Sequence, residues 1–372
     1  MKVYADHAAT TQLDIDAFEA MKPFLFDEFG NASQPYSFAR TAKAALKSAR
    51  ATIAKCINAE PEEIYFTSGG TESDNWAIKS TEFIHYNRAI ITSQIEHHAI
   101  LHACYAVERK GSSVVYLPVD RYGIVQPESL SSYISDNTKL VSIMLANNEI
   151  GSVQPIRELC KIAHLHGALF HTDAVQAVGH IPIDVKELNV DMLSASAHKF
   201  NGPKGVGFLY IKRGKTFAPF MDGGAQEFGM RAGTENIASI VAMAIALEKN
   251  CMRMSESKEH LRKLENILIQ ELRLSNIDFL QNGSKQKIPG NISISFRNAE
   301  GEMLLHRLDL MGICVSTGSA CDSKNTQLSH VLSAIHIPQE YAFGTIRISL
   351  GYENTEEDVR YIASSLIKVL KA

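Results

Sequence analysis

Between residues 60 and 212, short apolar runs alternate with stretches patterned like helices, and this alternation constrains the chain more than any other feature. Ile64-Tyr65-Phe66-Thr67 reads as a strand, as do Ala89 to Thr92, Val114 to Leu117, Leu140 to Leu145, Ala168 to Thr172 and Met192 to Ser196. Gly205 to Ile211 reads as one more. Strands separated by helices need crossover connections, and these bring the strands back parallel with both sheet faces covered. The expected fold class is therefore α/β, with a mainly parallel seven-stranded sheet between helices.

A chain of 372 residues exceeds one ordinary core, so two units are expected. The apolar pattern changes late in the chain. A helical run from about 235 to 273 is long enough to connect two units, with an interruption left open. Beyond it, Ile292-Ser293-Ile294-Ser295-Phe296 alternates with period two. Glu300 to Leu310 then reads as a helix, Ile346 to Leu350 as a strand and Thr355 to Leu370 as a closing helix. This assigns residues 13–250 to a large unit and residues 1–12 with 251–372 to a smaller α+β unit.

Charge excludes little but does give direction. Lys and Arg total 37 against 41 acidic residues, with no sizeable basic run, so neither direct nucleic-acid binding nor an anionic membrane surface is expected. No apolar stretch is long enough to span a bilayer, and the first residues lack the apolar core of a signal peptide. The six cysteines are scattered without a Cys-x-x-Cys pair, which weakens zinc and thioredoxin-like readings. Free thiols fit a reducing, cytoplasmic setting, and most of them read as packing residues.

Six segments carry chemistry. Ser196-Ala197-His198-Lys199 follows a strand, where a lysine beside hydroxyl and imidazole groups can form a Schiff base with an aldehyde cofactor. Asp173 and Gln176 follow another strand, where α/β sheets bind ligands; the competing reading of Asp173 is a helix cap. Thr67-Ser68-Gly69-Gly70-Thr71 joins a strand to a helix and offers backbone N–H groups to a phosphate. His97 opens a helix and can stack on a ring or shuttle protons; the competing reading is a histidine bonded to backbone. Cys321 lies among small residues, Ser316 to Ser323, that suit an accessible loop, whereas Cys314 in an apolar run reads as inert. Arg347, within an apolar strand, has the fork that suits a carboxylate.

Taken together, and in this order, the motifs resemble the cysteine desulfurases of the class V aminotransferase family, in the iron–sulfur-cluster and nitrogenase-associated branch. The likeness runs from Asp6-His7-Ala8-Ala9-Thr10-Thr11 to Arg347-Ile348-Ser349-Leu350-Gly351. It implies pyridoxal 5'-phosphate as cofactor and the fold type I architecture of its transferases. By this resemblance Lys199 holds the cofactor covalently, and Gly70, Thr71, Ser196 and His198 bind its phosphate. Asp173, Gln176, His97 and Asn148 contact the ring and substrate, and Arg347 anchors the substrate carboxylate. Thr234 reaches the phosphate of a neighbouring subunit, which implies a homodimer. Cys321 takes the sulfur of L-cysteine as a persulfide and passes it to a protein acceptor, either a cluster scaffold or a tRNA-thiolation enzyme. A selenocysteine lyase or another class V aminotransferase is the alternative. The chain departs from the family's Gly-Asn-Pro-Ser-Ser-x-His segment in reading Gly30-Asn31-Ala32-Ser33-Gln34-Pro35-Tyr36.

Overall fold

The computed structural model describes residues 1–84, 89–215, 217–317 and 328–371, with backbone only at 81–84. Its strands are Val3–Tyr4 (β1), Ile64–Thr67 (β2), Ala89–Ser93 (β3), Ser113–Leu117 (β4), Thr138–Ser142 (β5), Leu169–Asp173 (β6), Met192–Ser196 (β7), Gly207–Ile211 (β8), Phe279–Gln281 (β9), Asn291–Phe296 (β10), Ile313–Cys314 (β11) and Thr345–Ser349 (β12). Seven of them form one sheet in the order β2-β8-β7-β6-β5-β3-β4. Strand β8 runs against both its neighbours, and the other pairs are parallel, so the sheet is mainly parallel as expected. Strands β7 and β8 are buried at every position, which is how a sheet covered on both faces reads in sequence.

Strand β5 ends earlier than the apolar run Leu140 to Leu145 suggests. Ile143, Met144 and Leu145 are buried but leave the ladder, and their path carries the chain into the site. Ile143 and Leu145 N–H still donate to the His171 and Asp173 carbonyls, at 3.1 and 2.8 Å.

A 38-residue helix, Ile237–Leu274, is continuous through the segment where an interruption was open. Its first half packs Ile240, Met243, Ala246 and Leu247 into the core of the large sheet. Its second half packs Leu261, Leu264, Leu268 and Leu272 into a separate core with Val3, Ala5, Ile292, Ile294 and Ile348. That second core is roofed by the antiparallel sheet β12-β10-β9. Strand β10 alternates apolar and serine residues, yet all six positions are buried. Its serines stay inside because Asn282 Nδ2 donates to Ser293 Oγ at 3.1 Å and Ser295 Oγ at 2.8 Å, satisfying hydroxyls that otherwise require water. The two-residue strands β1 and β11 pair in parallel and tie the amino terminus to the second core.

Candidate functional site

The loops that follow β2, β3, β5, β6 and β7 meet on one side of the large sheet. These five strands run the same way, so the meeting point lies beyond their carboxyl ends, where such sheets bind ligands. A cavity of about 170 Å³ opens there. Gly70 and Thr71 line it from the start of the helix Gly70–Ile84, His97 from the start of His98–Glu108, and Asn148 from the loop after β5. Asp173 and Gln176 come from the end of β6, and Ser196, His198 and Lys199 from the end of β7. Nine of the twelve residues singled out in sequence thus share one wall system.

Lys199 Nζ donates to the Ala8 carbonyl at 2.6 Å and to the Ala9 carbonyl at 2.8 Å. Gln176 Nε2 donates to the same Ala8 carbonyl at 3.0 Å. The amino-terminal segment therefore crosses the site, held also by Thr11 N–H on the His198 carbonyl at 2.9 Å. Sequence reasoning missed this contact, because Ala8 and Ala9 carry no chemistry of their own.

Asp173 is 5% exposed, and its Oδ1 accepts the Val175 N–H at 2.9 Å. The capping reading and the ligand reading are both met, since the same carboxylate stays in the cavity wall. Burial pushes its pKa up, while the Val175 N–H and the Lys199 ammonium pull it back. His97 is likewise both things at once. Its Nδ1 accepts the Ala99 N–H at 3.1 Å as a helix cap, and its ring lines the cavity. Burial first, then the positive field of Lys199, lowers its pKa to about 4, so it is neutral near pH 7 with a proton on Nε2. His198 is lowered to about 4 for the same two reasons, and its Nδ1 sits 3.2 Å from Thr10 Oγ1.

Two expected residues lie elsewhere. Thr234 is exposed and borders a separate recess of about 70 Å³ with Ser68, Gly233 and Arg231. Arg347 is 3% exposed in β12 and does not line the cavity. Its guanidinium donates to Asp6 Oδ1 at 2.7 Å and to the Asn148 carbonyl at 2.8 Å, and its Nε has no partner. Cys321 lies outside the described residues. Among the other thiols, Cys104 and Cys160 are buried and Cys56 and Cys251 half-buried, while Cys314, which reads as inert in sequence, is exposed on the short strand β11. The cavity also takes Asp74, Met144, Ala146 and Val175, none of which the sequence reading named. For Asp74 a signal was available: it sits three residues after Thr71 in one helix, hence on the same face.

The wall chemistry suits a phosphorylated pyridine aldehyde. It places an amine, a buried carboxylate and hydroxyl or imidazole groups around one space. It also leaves Asp74 Oδ1 buried without a hydrogen-bond partner beside that space. Gly70 keeps the space open, since a Cβ there would meet Val175 Cγ2 at 2.5 Å. Among the described residues no group of three or more His, Cys, Asp or Glu side chains is placed to hold a metal ion, and no helix is long and apolar enough to cross a membrane.

Known proteins resemble this chain along its whole length. A cysteine desulfurase IscS from Dictyoglomus turgidum is 49% identical over 373 residues, covering 100% of this chain and 95% of the relative. A cysteine desulfurase from Klebsiella pneumoniae is 43% identical over 371 residues, covering 99% and 93%. Among solved structures, a NifS-like protein superposes with a TM-score of 0.94 at 38% identity, covering 100% of both chains. SspA in complex with cysteine superposes with a TM-score of 0.84 at 34% identity, covering 95% of this chain and 100% of that one. The aminotransferase class-V family matches residues 3–362, and with relatives this similar over this length the chain belongs to that family.

Proposed function

We propose that this chain is a pyridoxal-phosphate-dependent cysteine desulfurase, converting L-cysteine to L-alanine and taking the sulfur on Cys321. The observation that carries this reading is the convergence of Gly70, Thr71, His97, Asn148, Asp173, Gln176, Ser196, His198 and Lys199 on one cavity. When bound, the cofactor supplies an aldehyde for an amine and a ring that accepts electrons from the substrate Cα.

The residues of the chain do the rest. Gly70, Thr71, Ser196 and His198 hold the phosphate, and Gln176 takes the ring hydroxyl. Asp173 keeps the ring nitrogen protonated, a role that suits a carboxylate in a wall with Lys199 as its nearby cation. Lys199 holds the cofactor and then, as a free amine, takes the Cα proton. His97, neutral and carrying its proton on Nε2, delivers protons on the ring side. Asn148 and Arg347 orient the substrate, the arginine through its carboxylate. The Cys321 thiolate attacks the substrate sulfur, so an S–S bond forms as the C–S bond breaks. The electron pair of the C–S bond passes to carbon, which takes a proton to become alanine, and the persulfide stays on Cys321. A protein acceptor, a cluster scaffold or a tRNA-thiolation enzyme, then removes that sulfur.

The reading includes a cytoplasmic homodimer, in which a reactive thiol is not oxidised. Support for the dimer comes from Thr234, which is exposed and away from its own cavity, and from the exposed rings of Phe26, Phe29 and Phe228, apolar surface of the kind that a second copy buries. It also includes the division into residues 13–250 and residues 1–12 with 251–372, supported by the two cores that share one long helix.

The test is a purified protein given pyridoxal phosphate and L-cysteine, with alanine and sulfide measured. Lys199→Ala should lose the visible band of the bound cofactor and all alanine production. Cys321→Ala should keep that band and lose sulfur transfer. Full alanine production by the first variant, or full sulfide release from cysteine by the second, would overturn the assignment, and glutamate formation from a keto acid would favour an aminotransferase.

A further inference from the structure

Three buried acids stand at the cavity, Asp173 and Asp74 in its wall and Glu96 behind it, at 5%, 1% and 0% exposure. Two of them are provided for. Glu96 accepts the Ser93 hydroxyl at 2.5 Å and the Met144 N–H at 3.0 and 3.1 Å. Asp173 accepts the Val175 N–H at 2.9 Å and feels the Lys199 charge. Asp74 has neither a backbone donor nor a facing cation. Its Oδ1 is without a hydrogen-bond partner and lies 3.8 Å from His171 Nε2, and its carboxyl meets the Ser194 hydroxyl.

Ser194 is the first link of a buried array. Its Oγ is 2.9 Å from His171 Nε2, and His171 Nδ1 is 2.8 Å from Ser142 Oγ. His171 is fully buried, so its neutral ring gives one hydrogen bond and takes the other. The array therefore has two consistent directions. An ionised Asp74 accepts from Ser194, which accepts from His171, which accepts from Ser142. A protonated Asp74 donates to Ser194, and every bond reverses.

The surroundings decide between them. The groups facing Asp74 are the Asp173 carboxylate on β6 and the Glu96 carboxyl after β3, with the His171 imidazole beside it. Burial first, and then the neighbouring Asp173 carboxylate, push its proton affinity up. Two buried carboxylates this close do not both ionise cheaply, and the one with a donor and a cation keeps the charge.

We propose that Asp74 is a positioning residue that keeps its proton at neutral pH and donates it to Ser194, so that the negative charge under the cofactor ring rests on Asp173 alone. This rests on the reading that the ring nitrogen of pyridoxal phosphate faces Asp173. It assigns to the helix that begins at Gly70 a second role besides holding phosphate: tuning the carboxylate one strand away.

Infrared difference spectra of the holoenzyme and its Asp74→Asn variant test this directly. At neutral pH the parent should show one carbonyl stretch of a protonated buried carboxyl that the variant lacks, beside the Glu96 carboxyl band that both share. Because Asn is as neutral as the protonated acid, cofactor affinity at neutral pH should change by less than about threefold, while the alkaline step in the pH titration of the cofactor band disappears. Absence of the infrared band from the parent, or a tenfold or greater loss of cofactor affinity in the variant, as expected for removal of a needed charge on the order of one pKa unit, overturns the proposal. If Asp74→Asn does not fold, Ser194→Ala replaces it: the carboxyl band should shift in frequency when its acceptor is removed, and an unshifted band overturns the proposal. A parent that gives no visible band with pyridoxal phosphate sinks the cofactor reading instead, and leaves the infrared result on Asp74 standing.

Discussion

Arg347 Nη2 lies 2.7 Å from Asp6 Oδ1, joining a strand of the second core to a segment that also covers Lys199. The side chains are 4% and 18% exposed, so this pair is desolvated. Removing one member of such a pair leaves a charge buried without its partner. Asp6→Ala should therefore lower stability by about 3 kcal/mol, read from a urea midpoint. Because the freed guanidinium fork suits a carboxylate, added L-cysteine should restore part of that loss. If cysteine has no effect on the variant's midpoint, Arg347 does not bind the substrate carboxylate.

Gly70 separates space from strain. Its added Cβ would strike Val175 Cγ2 at 2.5 Å, and a β-branched side chain has little freedom to yield. The backbone conformation at Gly70 is an ordinary helical one, so the substitution costs the fold little beyond that contact. Gly70→Ala should weaken cofactor binding by roughly tenfold or more, a loss on the order of 1.4 kcal/mol, with the apoprotein's melting temperature lowered by only a few degrees. Equilibrium dialysis of pyridoxal phosphate and a thermal melt of the apoprotein measure the two effects separately. Unchanged cofactor affinity would mean that Gly70 is not in the binding wall.

What sequence revealed and what it concealed divide by distance along the chain. The seven strands were legible because a parallel core strand is apolar at nearly every position and is flanked by helical spacing. Most of the cavity was legible because its groups sit just past those strands, where motif and position coincide. The Lys199 contact with Ala8 was not, since it joins residues 191 apart through a backbone carbonyl that any residue supplies. The Arg347–Asp6 pair spans 341 residues, and neither partner's identity names the other. Polar burial was hidden for a similar reason: nothing local says that Ser293 and Ser295 find Asn282. Nor does sequence announce that Glu227 and Phe228 take positive φ values of 46° and 58°. The Glu227 carboxylate is held by Arg50 at 2.7 Å and by the Phe66 N–H at 2.8 Å, and that long-range grip explains how non-glycine residues occupy such a turn.

The buried histidines make acid a specific threat to this fold. Burial lowers the pKa of His171 to about 3, while an unfolded histidine takes its proton near about 6.5. The unfolded chain therefore binds more protons below that value. The contribution of His171 is present above about pH 6.5 and is lost as the pH falls toward its folded value. Between pH 6.5 and 5 the parent should lose roughly 1–2 kcal/mol more than a His171→Asn variant does. Urea midpoints of both proteins at the two pH values measure the difference. Parallel loss in the two proteins would show that His171 does not resist protonation.

Glu96 carries the opposite sign. Burial raises its pKa to about 8, outweighing the Ser93 and Met144 donors that favour the charged form. An unfolded glutamic acid gives up its proton near about 4.3. Between these values the folded chain holds the extra proton, so stability is present at low pH and declines as pH rises through about 8. Glu96→Gln keeps the shape and stays neutral throughout. The substitution changes the bonds to Ser93 and Met144 by an amount that does not vary with pH, so the information lies in the slope. Relative to the parent, the variant should gain up to about 1 kcal/mol per pH unit between pH 5 and 8. A stability difference that stays level across that window would mean that Glu96 is ionised in the folded protein, with its charge fully supported by the three hydrogen bonds it accepts from Ser93 and Met144.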